Sequence, residues 1–292
     1  MKGLRSVLYS VEGRVATITL NRPHSLNSID NFMPGDIRKA VETANSDDSV
    51  HAIMITGAGR SFCSGYDLKL FSEGHPVGGA GSVNQAAPVD FTVDYKLMKG
   101  FTDDFMSLWR SYKPMVAKVK GHAVAGGSDI ALCCDLIVME NDALVGYPPA
   151  RVWGCPTTAM WVYRVGAEKA KRMLFTGDLI TGTAAEQMGL ITAAVSAADI
   201  DTYVHKLVQR IAAVPKNQLM MHKTVINQAV ELQGMAAVQS MATLFDGMAR
   251  HSPEGLFFKE LSESKGFAAA VEQRDSGAPI ASGASKPSHV VE

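Results

Sequence analysis

The chain has 292 residues, 47% hydrophobic and 20% charged, enough for one large globular domain or two small ones around a substantial core. Its 28 basic and 29 acidic side chains leave a formal net charge of -1, so neither nucleic acid nor an anionic membrane is an expected partner. The N-terminal stretch is broken by Glu12, Gly13 and Arg14, does not read as a secretory signal, and points to the cytoplasm. Cys63, Cys133, Cys134 and Cys155 lack CxxC spacing, which suits neither a zinc site nor a disulfide framework and predicts reduced core residues.

In chain order, "VLYSV" and "VATITL" around "EGR" predict a hairpin of two strands. Residues 33–44 are amphipathic, with Asp30 placed to cap them, and "HAIMITGAG" reads as a buried strand stopped by glycines. Residues 72–90, rich in Gly, Ala and Pro, predict an aperiodic loop or lid. A helix over about 95–112 precedes "KPMVAKVKGHAVAGG", a strand ending in glycines, and a helix beginning near Gly127. "DLIVMEND" supplies another strand, and from Gly166 onward the pattern turns helical as far as residue 275. Residues 276–292 have the composition of a disordered tail. Helices alternating with short buried strands indicate an α/β fold with partly parallel strands.

The chemistry concentrates in "GAGRSFCSGYDLKLF" and "GHAVAGGSDIAL", where a glycine-bearing turn follows a buried strand and precedes a helix. Two such turns can aim main-chain N–H groups at one oxygen, the requirement for holding an oxyanion or enolate; losing one such donor costs about 10²–10³ in rate. Tight packing alone explains the same glycines. No intact GxGxxG or Walker pattern is present, and no GxSxG surrounds Ser128.

Four motifs in order, "LNRPHSLNSID", "GAGRSFCSGYDL", "VKGHAVAGGSDIALCCDLIV" and "FTGDLITGTAAEQMGLI", resemble the crotonase (enoyl-CoA hydratase/isomerase) superfamily over about residues 15–274. The resemblance implies an α/β crotonase-like ββα spiral core with an acyl-CoA site over residues 1–200. A helical C-terminal trimerisation region over 201–275 and the tail 276–292 complete the implied organisation. It implies that the backbone N–H groups of Tyr66 and Gly126 bind a thioester carbonyl, and that Ser64, Asp67 and Leu68 match CoA- and substrate-binding positions. Asp67 serves equally well as a helix cap. Asp135 matches a structural position.

Asp129 matches the place at which hydratases carry a glutamate that handles water and protons; a partly desolvated carboxyl there has the raised pKa that acid-base work requires. The alternative is a first-turn acid facing the helix dipole. Two departures stand out. Aspartate is one methylene shorter than glutamate, and the second glutamate of hydratases is matched by Pro149 and Ala150, neither of which transfers a proton. Auxiliary candidates are His122 and Arg151, with Glu73, His75 and Asp90 in or beside the loop.

The resemblance therefore implies hydration of a 2-enoyl-CoA through an enolate, with an isomerase or hydrolase using one carboxylate, or a non-catalytic acyl-CoA binder, as alternatives. It implies no metal and no cofactor beyond the coenzyme A moiety of the substrate, and a homotrimer or dimer of trimers. Tyr147 and Trp153 are candidates to shape an acyl pocket.

Overall fold

The computed structural model describes residues 3–71 and 90–276; the expected loop at 72–89, with Glu73 and His75, and the tail from 277 lie outside the described residues. The expected hairpin forms as β1 (Val7–Glu12) and β2 (Val15–Leu20), antiparallel with Val7 opposite Leu20. In β2, Ala16, Ile18 and Leu20 are buried while Thr17 and Thr19 are partly exposed, the period-two pattern of a strand with one face on the core. Helix α1 (Met33–Ser46) buries Met33, Ile37, Ala40, Val41 and Ala44 along one stripe. Asp30 caps it from three residues ahead, its Oδ1 accepting from the N–H groups of Phe32 (3.1 Å) and Met33 (2.9 Å).

Strand β3 (Ala52–Gly57) pairs parallel to β2, and β4 (Met115–Val119) parallel to β3. Between them lie the short helix α2 (Leu68–Phe71) and the long helix α3 (Phe91–Trp109). The latter begins earlier than the apolar pattern indicates because Asp90 caps it through Thr92 and Val93. Residues 120–121 turn the chain out of the main sheet, so the run read as one strand is two: β5 (His122–Val124) belongs to a second sheet. Helix α4 (Gly126–Leu132) and strand β6 (Leu136–Glu140) follow, β6 pairing parallel to β4.

Downstream come β7 (Leu144–Gly146), α5 (Met160–Thr176, kinked at Gly166), β8 (Leu179–Thr181), α6 (Gly182–Met188) and β9 (Ala193–Val195). The main sheet runs β1-β2-β3-β4-β6-β9, parallel throughout except β1; the smaller sheet runs β5-β7-β8. The larger core packs Ile37, Ile55, Phe105, Ile130 and Trp161 on one face of the main sheet. Helix α7 (Ile200–Ala212), grouped in the sequence with the C-terminal helices, covers the other face: Ile200, Val204 and Val208 meet Val116 and Val138.

Helices α8 (Lys216–Glu231), α9 (Met235–His251), α10 (Pro253–Lys265) and α11 (Phe267–Asp275) complete the described chain. Asp135 joins this layer to the core, accepting from the Met115 N–H (2.7 Å) and pairing with the buried Lys223 of α8 (2.7 Å). Cys63, Cys133 and Cys134 are buried free thiols and Cys155 is half-buried.

Candidate active site

Because β3 and β4 are parallel neighbours, the loops leaving their carboxyl ends emerge side by side, the place where α/β sheets present ligand sites. Those loops carry the two glycine motifs. Cys63 of the first is zipped to β5, its N–H donating to the His122 carbonyl (2.8 Å) and its carbonyl accepting from the Val124 N–H (3.0 Å). This contact explains Gly127: a Cβ there would sit 2.2 Å from the Cys63 carbonyl oxygen, inside any real contact distance. Gly65, at φ +96°, likewise faces the second loop, with its would-be Cβ 2.7 Å from Ala125 Cβ and 3.4 Å from Gly126 N.

The turn into α4 is strained. Ala125 has φ 53° and ψ -125°, a region that residues with a Cβ avoid at a cost of about 1–3 kcal/mol. The Ala125 N–H is spent on the Gly146 carbonyl (2.9 Å) and its carbonyl accepts from Ser128, whereas Gly126 opens the helix. On the first loop, Ile29 donates to the Gly65 carbonyl (2.8 Å) and accepts from the Asp67 N–H (3.0 Å), so the intervening Tyr66 N–H faces away from Ile29. Among the described residues neither the Tyr66 nor the Gly126 N–H has a main-chain partner. The two loops thus converge with one free donor each.

Beside them lies a cavity of about 300 Å³, mostly apolar, with Leu26, Phe71, Met98, Val124, Pro149 and Trp153 in its wall. Ser64, Tyr66, Leu68, His122 and Tyr147 also reach it, so most of the candidates from the sequence are brought together. Asp67 is not in the wall: its carboxylate pairs with Arg22 (2.9 Å), and its carbonyl, rather than its side chain, accepts from Leu70 and Phe71 in α2. Arg151 is also turned aside, donating to the Thr176 carbonyl (2.7 Å) and to Asp275 (2.9 Å). Asp275 itself does reach the wall. The Ser128 hydroxyl donates to the Ala125 carbonyl (2.6 Å) and is fully buried, a helix-start role.

Asp129 sits three residues after Gly126 on the same side of α4 and is 2% exposed. Its Oδ1 accepts from the Thr158 hydroxyl at 2.5 Å, and Thr158 is in turn held by Gln239 through its carbonyl (2.9 Å). Burial pushes the Asp129 carboxyl up to about 7; the nearby Asp246 charge adds to the rise and the Thr158 hydrogen bond opposes it. The carboxyl is not itself in the cavity wall; Tyr66 and Ala125 are, and the Tyr66 ring lies 3.0 Å from the would-be Cβ of Gly126.

Sequence reasoning misses the charged group on the far wall. Asp246 and Arg250 of α9 both reach the cavity and are nearly fully buried. Arg250 Nη1 binds Asp246 Oδ2, while Nη2 binds both oxygens of Asp94 on α3 (2.6 and 2.7 Å). Asp246 Oδ1 accepts from the Cys155 N–H at 2.9 Å. Burial raises the Asp246 carboxyl, Arg250 and the Cys155 N–H pull it back, and Asp94 reinforces the rise. The signal that finds this group is a stripe: Gln239, Thr243, Asp246 and Arg250 recur at helical spacing and form the buried face of α9, while Met241, Leu244, Phe245 and Met248 face out.

An apolar cavity beside converging main-chain donors, with buried carboxyls at two places around it, is the layout of an enzyme that works at a carbonyl. The chain belongs to the enoyl-CoA hydratase/isomerase family, whose sequence model matches residues 10–275. A crystal structure of an enoyl-CoA hydratase from Mycobacterium smegmatis is 43% identical and superposes with a TM-score of 0.88, covering 94% of each chain. An enoyl-CoA hydratase/isomerase from Xanthobacter autotrophicus Py2 is 29% identical at a TM-score of 0.84, over 94% of this chain and 98% of that one. A Dictyostelium discoideum protein named "Probable enoyl-CoA hydratase, mitochondrial" is 27% identical over 270 residues, 90% of this chain and 87% of its own. The fold is the α/β crotonase fold with C-terminal helices. No helix among the described residues is long and apolar enough to cross a membrane.

Proposed function

We propose that the enzyme adds water across the double bond of a 2-enoyl-CoA, through a thioester enolate held by the N–H groups of Tyr66 and Gly126. The observation that carries this reading is the pair of main-chain donors left without main-chain partners where the two loops meet. Preorganised donors of this kind stabilise negative charge as it develops on the carbonyl oxygen and call for no cofactor beyond the coenzyme A moiety. Ser64 and Leu68, in the wall next to Tyr66, contact the substrate; Asp67 acts through Arg22, bracing the loop. Asp129, beside the second loop and with its carboxyl raised to about 7, is the acid in this reading that gives Cα its proton.

The test is product analysis with 2-enoyl- and 3-enoyl-CoA thioesters in heavy-oxygen water, beside Asp129→Ala. Labelled 3-hydroxyacyl-CoA, lost in the variant, is the expected result. Migration of the double bond without oxygen uptake selects an isomerase, a reading favoured by Pro149 and Ala150 at the place where hydratases have their second glutamate and by the apolar wall. No turnover on any thioester selects a specialised hydrolase or a simple acyl-CoA binder.

We further propose that the chain assembles as a trimer or a pair of trimers. Val225 and Ile226 on α8 and Met241 and Phe245 on α9 are exposed apolar side chains on neighbouring helices, which supports subunit packing there. A monomer in size-exclusion chromatography with light scattering would oppose it.

A further inference from the structure

Adding water to an enoyl thioester needs a group that orients and deprotonates the water as well as one that protonates Cα. Of the described residues in the cavity wall, two bear carboxylates. Asp275 is engaged by Arg151 and Arg274 and is about one third exposed at 35%. Asp246 is 4% exposed and anchored on its inner side by Arg250 and the Cys155 N–H. Gly154 marks its surroundings: a Cβ built there would lie 3.0 Å from Pro149 Cβ, 3.4 Å from Asp246 Oδ1 and 3.4 Å from the Tyr147 hydroxyl. The carboxylate, Pro149 and the Tyr147 hydroxyl therefore border the same small space beside Gly154.

We propose that Asp246, delivered from the C-terminal helix α9, is the catalytic residue that orients and deprotonates the attacking water. This rests on the hydratase reading above. Burial raises the Asp246 carboxyl, the Arg250 guanidinium opposes that rise, and Asp94 holds the guanidinium by its other nitrogen. In the step, Asp246 takes one proton from water as the water oxygen bonds Cβ. The π pair moves through Cα onto the thioester oxygen as an enolate. The enolate then collapses and Cα takes the proton of Asp129, so one water has been added. After release, Asp246 loses its proton to solvent and Asp129 regains one. The step requires Asp246 ionised and Asp129 protonated at one pH.

The test compares Asp246→Asn and Asp94→Asn in the full-length protein, measuring oxygen-18 incorporation, KM and thermal unfolding. Asp246→Asn keeps the side-chain shape and leaves Arg250 bound to both oxygens of Asp94, but turns an amide N–H₂ toward the Cys155 N–H or Arg250, a cost that thermal unfolding reads directly. The expected result is a fall in kcat of about 10²–10³-fold with KM changed less than about threefold, against a loss under about tenfold for Asp94→Asn. Asp246→Asn within about threefold of the wild type in kcat overturns the role of Asp246 while leaving the hydratase reading intact. Equal losses in both variants, tracking a common loss of thermal stability, also overturn it, because they mark a structural triad. A wild type that adds no water to any 2-enoyl-CoA overturns both readings.

Discussion

Replacing Asp129 by asparagine removes a buried ionisable group whose effect on stability has a definite sign. In the folded chain its carboxyl titrates at about 7 against an ordinary 3.8, chiefly through burial, so the folded state holds a proton that the unfolded state releases. The contribution of Asp129 to stability is therefore greatest below about pH 4, falls as pH rises between the two values, and is flat above them. At about 1.4 kcal/mol for each factor of ten in proton affinity, the interval corresponds to a loss of about 4 kcal/mol. Asparagine lacks this pH dependence; it keeps an oxygen to accept from Thr158 and adds an amide N–H₂ whose burial costs about 1–3 kcal/mol. Urea unfolding at matched protein concentration should thus find Asp129→Asn destabilised at pH 4, and gaining about 3–4 kcal/mol relative to the wild type by pH 8. Parallel stability curves for the two proteins across that range would refute the argument that burial controls this carboxyl.

Three further substitutions test the architecture. Gly127→Ala places a Cβ 2.2 Å from a main-chain oxygen that is itself fixed in a strand contact, so a cost of at least about 3 kcal/mol and a Tm lower by several degrees are expected; an unchanged Tm would show that the loops separate freely. Ala125→Gly relieves the positive φ and should gain about 1 kcal/mol in urea unfolding, after the entropy that glycine adds to the unfolded chain; a loss would show that the alanine is unstrained. Arg250→Met strands Asp94 and Asp246 without a cation in a buried setting, with an expected cost of about 3–5 kcal/mol; a urea midpoint equal to that of the wild type would show the pair to be solvated.

What is legible in the sequence is what short-range physics decides. The β1–β2 hairpin, α1 and the glycine-terminated β3 announce themselves through alternation, helical spacing and turn residues within a few positions. β8 and β9 span three residues each, too few for a period, and the sequence reading places no strand in the gaps between helical segments where they lie. "MVAKVKGHAV" is one apolar run in sequence, and only the competition between two sheets divides it into β4 and β5. At the proposed site, Tyr66, Gly126 and Asp129 can be named from the sequence because they stand in contiguous motifs. Asp246 and Arg250 are separated from those motifs by more than a hundred residues and sit on a helix whose buried face is polar, the reverse of the usual inference from amphipathicity.

The two free donors belong to the main chain, and this makes the site unusual as a target of mutation. Any exchange of the Tyr66 side chain for another, proline excepted, leaves its N–H in place, and what constrains the second loop is the room for a Cβ at Gly127 rather than any side-chain chemistry. The wall around the cavity, by contrast, is built from side chains such as Met98, Val124 and Trp153, each of which can change size or shape alone. Point mutation can therefore recut the pocket while the two main-chain donors proposed to meet the carbonyl pass unaltered from one variant to the next.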